Sequence, residues 1–407
     1  MLGRQDALAV KDALSLLFEN LPKRPKEEEE IRLEDSYGRV LSRDIHSPED
    51  LPHFSRSTVD GFAVHAEDTF GAHSYLTVSH EIQMAEEPRF QLKRGFGARI
   101  PTGGMLPEGA DAVLMFEHAQ WLEEKTIEAQ KPVSPHENVI EKAEDIRAGE
   151  LVLNDGHRLR AQDVAVFAGI GIKNVFVYKK PCVSVISSGD EIIPHDSSIK
   201  PGFIRDMNSF ILDGLIGKEG GIVLKKGIFN DQYNLISSAV HESIKDSKIV
   251  LITGGSSVGA GDLTAKVING MGRIIFHGVS MKPGKPTIAG VIGDTVVFGL
   301  PGHPVAVMIC FNTFVMPVLR YMSGVKEEGF CNENRVKAKL TKGIHSLAGK
   351  LEHIRVSLKA EGEVLFATPQ LGKSGLISTL VRADGIITVL PHELGIAEGE
   401  TVEVKLF

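Results

Sequence analysis

The stretch Lys248 to Asp262, KIVLITGGSSVGAGD, sets the tightest limit on what this chain can fold into. Ile249 to Ile252 is a short apolar run rich in β-branched residues, which predicts a buried strand. The run stops at Gly254-Gly255, and Ser256, Ser257, Gly259, Gly261 and Asp262 follow at once. Glycines let backbone pass close to a ligand and let exposed N–H groups point inward at an anion. Leu263, Val267, Ile268 and Met271 then recur at helical spacing, so the loop joins a strand to a helix. In an open α/β sheet, that junction is where ligands bind. No Gly-Lys-Ser/Thr follows, so this is not a Walker phosphate loop, and G-x-G-x-x-G is absent before the helix.

Two more loops of unusual chemistry follow apolar strands: Lys282-Pro-Gly-Lys285-Pro and Pro301-Gly-His-Pro304. Together the three predict one crevice lined three times. The surrounding rhythm from Pro181 onward is strand, loop, helix. Cys182 to Ile186 reads as a strand, followed by Ser187-Ser-Gly-Asp190-Glu191. A helix is expected from Phe210 to Lys218, with Asn208 or Ser209 as its N-cap. Ile222 to Phe229 is the next strand, and Asn230-Asp231 precedes a helix from Tyr233 to Ile244. Thr287 to Ile292 and Thr295 to Leu300, joined by Gly293-Asp294, predict a hairpin.

The flanks read differently. Gln5 to Leu21 is an amphipathic helix, and the charged run from Lys23 to Glu30 is a solvated linker. Asp60-Gly61 is a turn or bulge signal, and residues 65 to 135 are strands and turns punctuated at Thr102-Gly-Gly104. Beyond about residue 325 the pattern is all β with glycine-rich turns, which fits a small barrel. A length of 407 residues exceeds one ordinary core. We therefore expect an α/β multidomain chain. A discontinuous, mixed N-terminal domain (residues 1–51 and 139–178) encloses a β-rich inserted domain (52–138). A central α/β domain (179–324) and a small C-terminal β-barrel (325–407) follow.

Composition excludes several classes. The net charge is −8 and no basic run stands out, so nucleic acid is not an expected partner. Cys182, Cys310 and Cys331 are scattered, with no metal spacing and no disulfide frame. The 15 histidines form no zinc motif. The apolar helix from Val305 to Met322 is broken by Asn312, Pro317 and Arg320, which suits a core helix and no membrane partner. With no signal peptide evident, a cytoplasmic location is expected.

Asp190, Glu191, Asp231, Ser257, Asp262, Lys282 and Lys285 fall at the carboxyl ends of predicted strands. Carboxylates near lysines suit a polyanion held through Mg²⁺ and direct cations together. No Ser-His-Asp order or nucleophile elbow occurs, so covalent catalysis is not expected. Asp190, Asp231 and Asp262 could also serve only to cap helices, and the lysines only to solvate a turn.

Taken together, SRSTVDGFAV, IPTGGMLPEGADAVLMFE, SSGDEI, LITGGSSVGAGD, MKPGKP and LPGHPVAV resemble the molybdopterin molybdenumtransferase family of the MoeA type. The closing LGKSGLISTLVRADGIITVLP resembles that family's last domain, so the likeness runs in order along the chain. The resemblance makes the central α/β domain a molybdopterin-binding domain. It implies molybdenum insertion from molybdate into adenylylated molybdopterin with release of AMP, Mg²⁺ assisting, in an elongated homodimer. The molybdopterin adenylyltransferase is an implied partner enzyme. Carried over by motif, Asp60, Thr102, Asp145, Glu191, Asp231 and Asp262 are catalytic, the first two reaching the partner subunit's site. Glu191, Asp231 and Asp262 line the nucleotide or metal side. Substrate contacts fall to Gly254, Gly255, Ser257, Gly259, Lys282, Lys285, Pro301 and Pro304, with Arg355 and Ser374 as oxyanion contacts. Thr58-Val59 departs from the usual Ala-Met before Asp-Gly, and Lys350 and His353 depart upstream of Arg355. Alternative readings are a molybdopterin adenylyltransferase and a non-catalytic pterin-binding scaffold.

Overall fold

The computed structural model describes residues 7–24, 27–71, 74–254, 261–326 and 334–407, apart from the side chains of residues 261 and 262. Near the N-terminus, α1 (Val10–Glu19) buries Ala13 and Leu17, four residues apart on one face. Strand Glu28–Arg32 pairs antiparallel with Asn174–Tyr178, and Ile45–His46 pairs with Leu151–Leu153. These pairings, with α2 (Ala161–Gly169), enclose a core of Leu41, Leu159, Phe167 and Val177. The intervening chain leaves and returns. It forms a six-stranded sheet over Gly61–Val64, Ser74–Glu81, Phe96–Ile100, Ala112–Met115, Ala119–Glu123 and Thr126–Ala129. Separate apolar clusters cover its two faces.

The central sheet positions the candidate site. Its strands are β1 (Cys182–Ser188), β2 (Ile222–Phe229), β3 (Ile249–Gly254), β4 (Arg273–His277), β5 (Ile288–Ile292) and β6 (Thr295–Leu300). The spatial order is β2-β1-β3-β6-β5-β4. The first four are parallel, whereas β5 and β4 run antiparallel to their neighbours. Parallel strands must be covered on both faces, which explains the unbroken apolar run Ile249 to Ile252. Ile249 and Leu251 pack on one face with Leu212 and Ile216 of α3 (Asn208–Lys218). Val250 and Ile252 pack on the other, with Val240 of α4 (Tyr233–Asp246) and Val267 and Ile268 of α5 (Gly261–Met271).

The apolar segment from 304 to 322 is one continuous helix packed in that first core with α1: α6 (Pro304–Cys310), a π stretch (Phe311–Val315) and α7 (Met316–Met322). It is long and apolar enough to cross a membrane, yet 72% of its most apolar window is buried inside the protein. The π stretch lies just before Pro317, whose ring would crowd the carbonyl four residues back in a regular helix.

Five C-terminal strands, Arg335–Leu340, Leu351–Glu361, Val364–Pro369, Gly385–Val389 and Thr401–Leu406, close into a small barrel. The expected strand at His353 to Leu358 extends in both directions, to Leu351–Glu361. Its start also pairs with Met281–Lys282, which ties the barrel to the central sheet.

Candidate functional site at the strand ends

A cavity of about 760 Å³ opens at the carboxyl ends of β1, β3 and β6. Ser187 and Ser188 end β1, and Gly254 ends β3. Gly254 has φ +102° and sits in register with Ser188, where an added Cβ would lie 1.8 Å from the Ser188 carbonyl oxygen. No other residue can hold this junction. Gly302, in the turn after β6, approaches the Gly254 Cα, so two predicted loops meet here. Pro304 occupies the first turn of α6, where its missing N–H has no intrahelical bond to lose.

Two carboxylates are held by the serines of β1. The Ser188 hydroxyl donates to Asp231 Oδ1, and the Ser187 hydroxyl donates to Asp206 Oδ2 at 2.8 Å. Asp231 does not cap α4. The N-cap is Gln232, without a side-chain cap, so the capping alternative fails for this residue. The α3 expectation also needs correction: Met207 is its N-cap and Asn208 its first residue. The capping carboxylate is Asp206, which accepts the Ser209 N–H at 3.2 Å. Asn208 instead donates Nδ2 to the Gly302 carbonyl at 2.8 Å. Its Oδ1 is buried without a partner among the described residues. Asp190 stands behind this group and accepts from Asn230 Nδ2 and the Asp231 N–H.

Glu191, Asp206 and Asp231 thus share the cavity with Arg205, Lys266 and His303. Glu191, Asp231 and Gly254 are the sequence-predicted residues on its wall; Pro301 and Pro304 are buried and frame the turn that contributes Gly302 and His303. Ser374 reaches its edge from the barrel: its hydroxyl lies 3.0 Å from His303 Nδ1, and its carbonyl accepts the Val305 N–H. Gly255, Ser257 and Gly259 lie outside the described residues, as does the Asp262 side chain, although Asp262 falls in the first turn of α5.

The paired lysines are not on this wall. Because β5 runs antiparallel to β6, the Lys282–Lys285 turn lies at the same end of the sheet. Lys282, however, forms an ion pair with Glu352 of the barrel at 2.7 Å, and Lys285 is exposed. Burial pushes the Glu352 carboxyl up, but the Lys282 and Ser346 hydrogen bonds outweigh it and hold the group below its usual range. Arg355 is 6% exposed, and its Nη2 donates to the Gln370 and Gly372 carbonyls. It braces the loop that carries Ser374, and burial lowers its pKa.

Asp60, Thr102 and Asp145 also lie away from the cavity wall. Thr102 donates its backbone N–H and its hydroxyl to Asp60 Oδ1, at 2.8 and 3.0 Å. The backbone bond first, then the hydroxyl, hold the Asp60 carboxyl below its usual range, so it is an exposed anion. Asp145 is exposed on the adjoining turn. Among the described residues, no three His, Cys, Asp or Glu side chains cluster as a metal cage.

Sequence reasoning left Ser188, Asp206 and Lys266 out of the site, and had His303 only as part of the turn from 301 to 304. The signal for Lys266 is its spacing: it lies three residues after Leu263, on the same face of α5. The serines read only as a strand end.

A larger cleft of about 1090 Å³ lies between α1, the long helix and the barrel, and none of the sequence-predicted site residues lines it. We therefore place the site at the strand ends. Fold and cavity define a multidomain protein with an open α/β domain whose strand-end cavity is edged by a loop of the C-terminal barrel.

Three family models match in order. They are the MoeA N-terminal region (domain I and II) over residues 8–171, a probable molybdopterin binding domain over 184–321, and the MoeA C-terminal region (domain IV) over 337–407. The chain belongs to the MoeA family. A putative molybdopterin biosynthesis protein of Methanocaldococcus jannaschii is 32% identical, covering 99% of this chain and 98% of that one. A molybdopterin molybdenumtransferase of Bacillus subtilis is 31% identical, over 93% of this chain and 90% of that one. The crystal structure of a molybdopterin biosynthesis MoeA protein from Pyrococcus horikoshii OT3 superposes with a TM-score of 0.85 at 33% identity, covering 99% of this chain and 100% of that chain.

Proposed function

We propose that this chain inserts molybdenum from molybdate into adenylylated molybdopterin and releases AMP. The observation that carries this reading is the cavity in which Gly254 backbone, Asp231 and Glu191 converge at the strand ends. A glycine junction can approach a phosphate closely, and Asn208 Oδ1 can accept an N–H from a purine or pterin amine. Two carboxylates plus substrate phosphates are a suitable donor set for Mg²⁺, which keeps most of its water. When bound, Mg²⁺ would neutralise phosphate charge beside Asp231 and Glu191.

Lys282 and Lys285, at the same sheet end, supply cationic charge for an oxyanion, and Ser374 supplies a hydroxyl from the barrel. Asp60 and Thr102 would serve a partner's cavity in a homodimer. Exposed Ile199, Phe203, Met207 and Phe210, on and just before α3, support a subunit contact beside the cavity. A cytoplasmic location and contact with the adenylyltransferase belong to the same reading.

An assay with adenylylated pterin and molybdate, scored by AMP release, tests the proposal. Turnover should require molybdate. Product made from molybdopterin and ATP without molybdate would instead show adenylyl transfer, and absence of both reactions would favour a binding scaffold.

A further inference from the structure

A second concave site lies at the other end of α3. The first residues of that helix, Met207 and Asn208, meet the cavity already described. Its last residues, Gly217 and Lys218, line a separate cleft of about 940 Å³ against the segment 152–160. An 11-residue helix spans roughly 16 Å, so the two sites are distinct.

The wall of this cleft is cationic although the chain carries a net charge of −8. Arg39 meets Glu29, Arg160 meets Asp163, and Lys326 meets Asp155. Arg158 and Arg320 both meet the buried Glu219. Lys180 and Lys218 are exposed and have no carboxylate partner among the described residues. Lys180 and Lys218 are thus cations of this wall left unmatched among the described residues. Arg158 Nε is also buried with no acceptor among the described residues. The backbone cannot supply the missing recognition, because the N–H groups of the turn glycines Gly38, Gly156 and Gly220 are bonded to carbonyls of the protein itself. The side chains must therefore supply it, and they offer charge.

We propose that this cleft binds a small polyanion carrying two or more phosphate groups. A concave site of this volume falls in the range of small-ligand pockets, which favours a compact ligand over an acidic protein segment. Exposed lysines without a carboxylate partner among the described residues suit phosphate oxygens, and the binding should weaken as salt rises.

Calorimetric titration of the full-length protein with inorganic pyrophosphate tests this. The Lys180→Glu/Lys218→Glu double variant should weaken binding by roughly tenfold or more, because each change reverses an exposed charge facing the ligand. Its melting curve should match the parent, since neither lysine is buried. Asp231→Asn, in the strand-end cavity, should leave pyrophosphate binding unchanged. Titration with ADP separates two sources of the same chemistry. Tighter binding than pyrophosphate with the same lysine dependence indicates a nucleotide, and equal binding indicates a free oligophosphate; both support the site. No pyrophosphate binding by the parent, or binding lost in Asp231→Asn but kept in the double-lysine variant, overturns it.

Discussion

Among the described residues Asp231 accepts one hydrogen bond, from Ser188, and it lines the cavity without capping the helix that follows it. A carboxylate so placed is available for a cation or a donor on the ligand. Asp231→Asn should therefore keep the fold and lower AMP release by roughly 100-fold or more, the scale of losing one preorganised electrostatic contact. Gly254→Ala should behave differently. A Cβ would meet the Ser188 carbonyl at 1.8 Å, so strand and turn must shift, at a cost above about 2 kcal/mol, and the melting temperature should fall together with activity. Cys310 supplies a third test. Burial pushes its thiol up to about 12, against a smaller opposing effect from Thr287. It should resist thiol reagents at neutral pH while the protein is folded and react once denatured. Its sequence context, an apolar helix, already indicated packing. The partner Thr287 hydroxyl, 3.1 Å from its sulfur, did not show.

At the scale of elements, α2 is opened by a capping box in which Asp163 accepts from the Arg160 backbone and guanidinium. Burial raises the Asp163 pKa, but the Arg160 and His157 bonds outweigh it and hold the carboxyl well below its usual range. Because the folded-state value is depressed, this stabilisation is complete above the unfolded value near 3.9 and is lost as pH falls below it. Asp163→Asn should be less stable than the parent by about 1–3 kcal/mol at pH 7, with the gap closing as denaturation is repeated toward pH 2. A gap independent of pH would contradict the ionic origin. Elements with strong periodicity were legible in the sequence: the β3 run, the hairpin of β5 and β6, and the long helix. The π stretch was not, because it relieves crowding at Pro317 without leaving a pattern of its own. The start of α3 was misread because Asn208 suits a cap by type, whereas Asp206 reaches the helix N–H first.

Across the whole molecule, Glu219 joins three segments. It follows α3 and receives Arg158 from the N-terminal part and Arg320 from α7. Removing it would leave two guanidinium groups facing each other, so Glu219→Ala should cost about 3–5 kcal/mol in chemical denaturation. An unchanged midpoint would mean the segments are held by apolar packing alone. The order of architectures was legible because each has its own period. Contacts between distant segments were not: nothing local marks Lys282 as the partner of Glu352, or Ser374 as the neighbour of His303. For the same reason the paired lysines were expected on the cavity wall, and nothing local marked the Arg355 bonds to the Gln370 and Gly372 carbonyls.

The central claim is that adenylylated pterin occupies the strand-end cavity. Crystals soaked with AMP, Mg²⁺ and molybdate test it most directly. The account predicts the nucleotide phosphate against the Gly254 backbone, with Asp231 on its metal side. Nucleotide bound in the larger cleft between α1 and the barrel, with the strand ends empty, would contradict it.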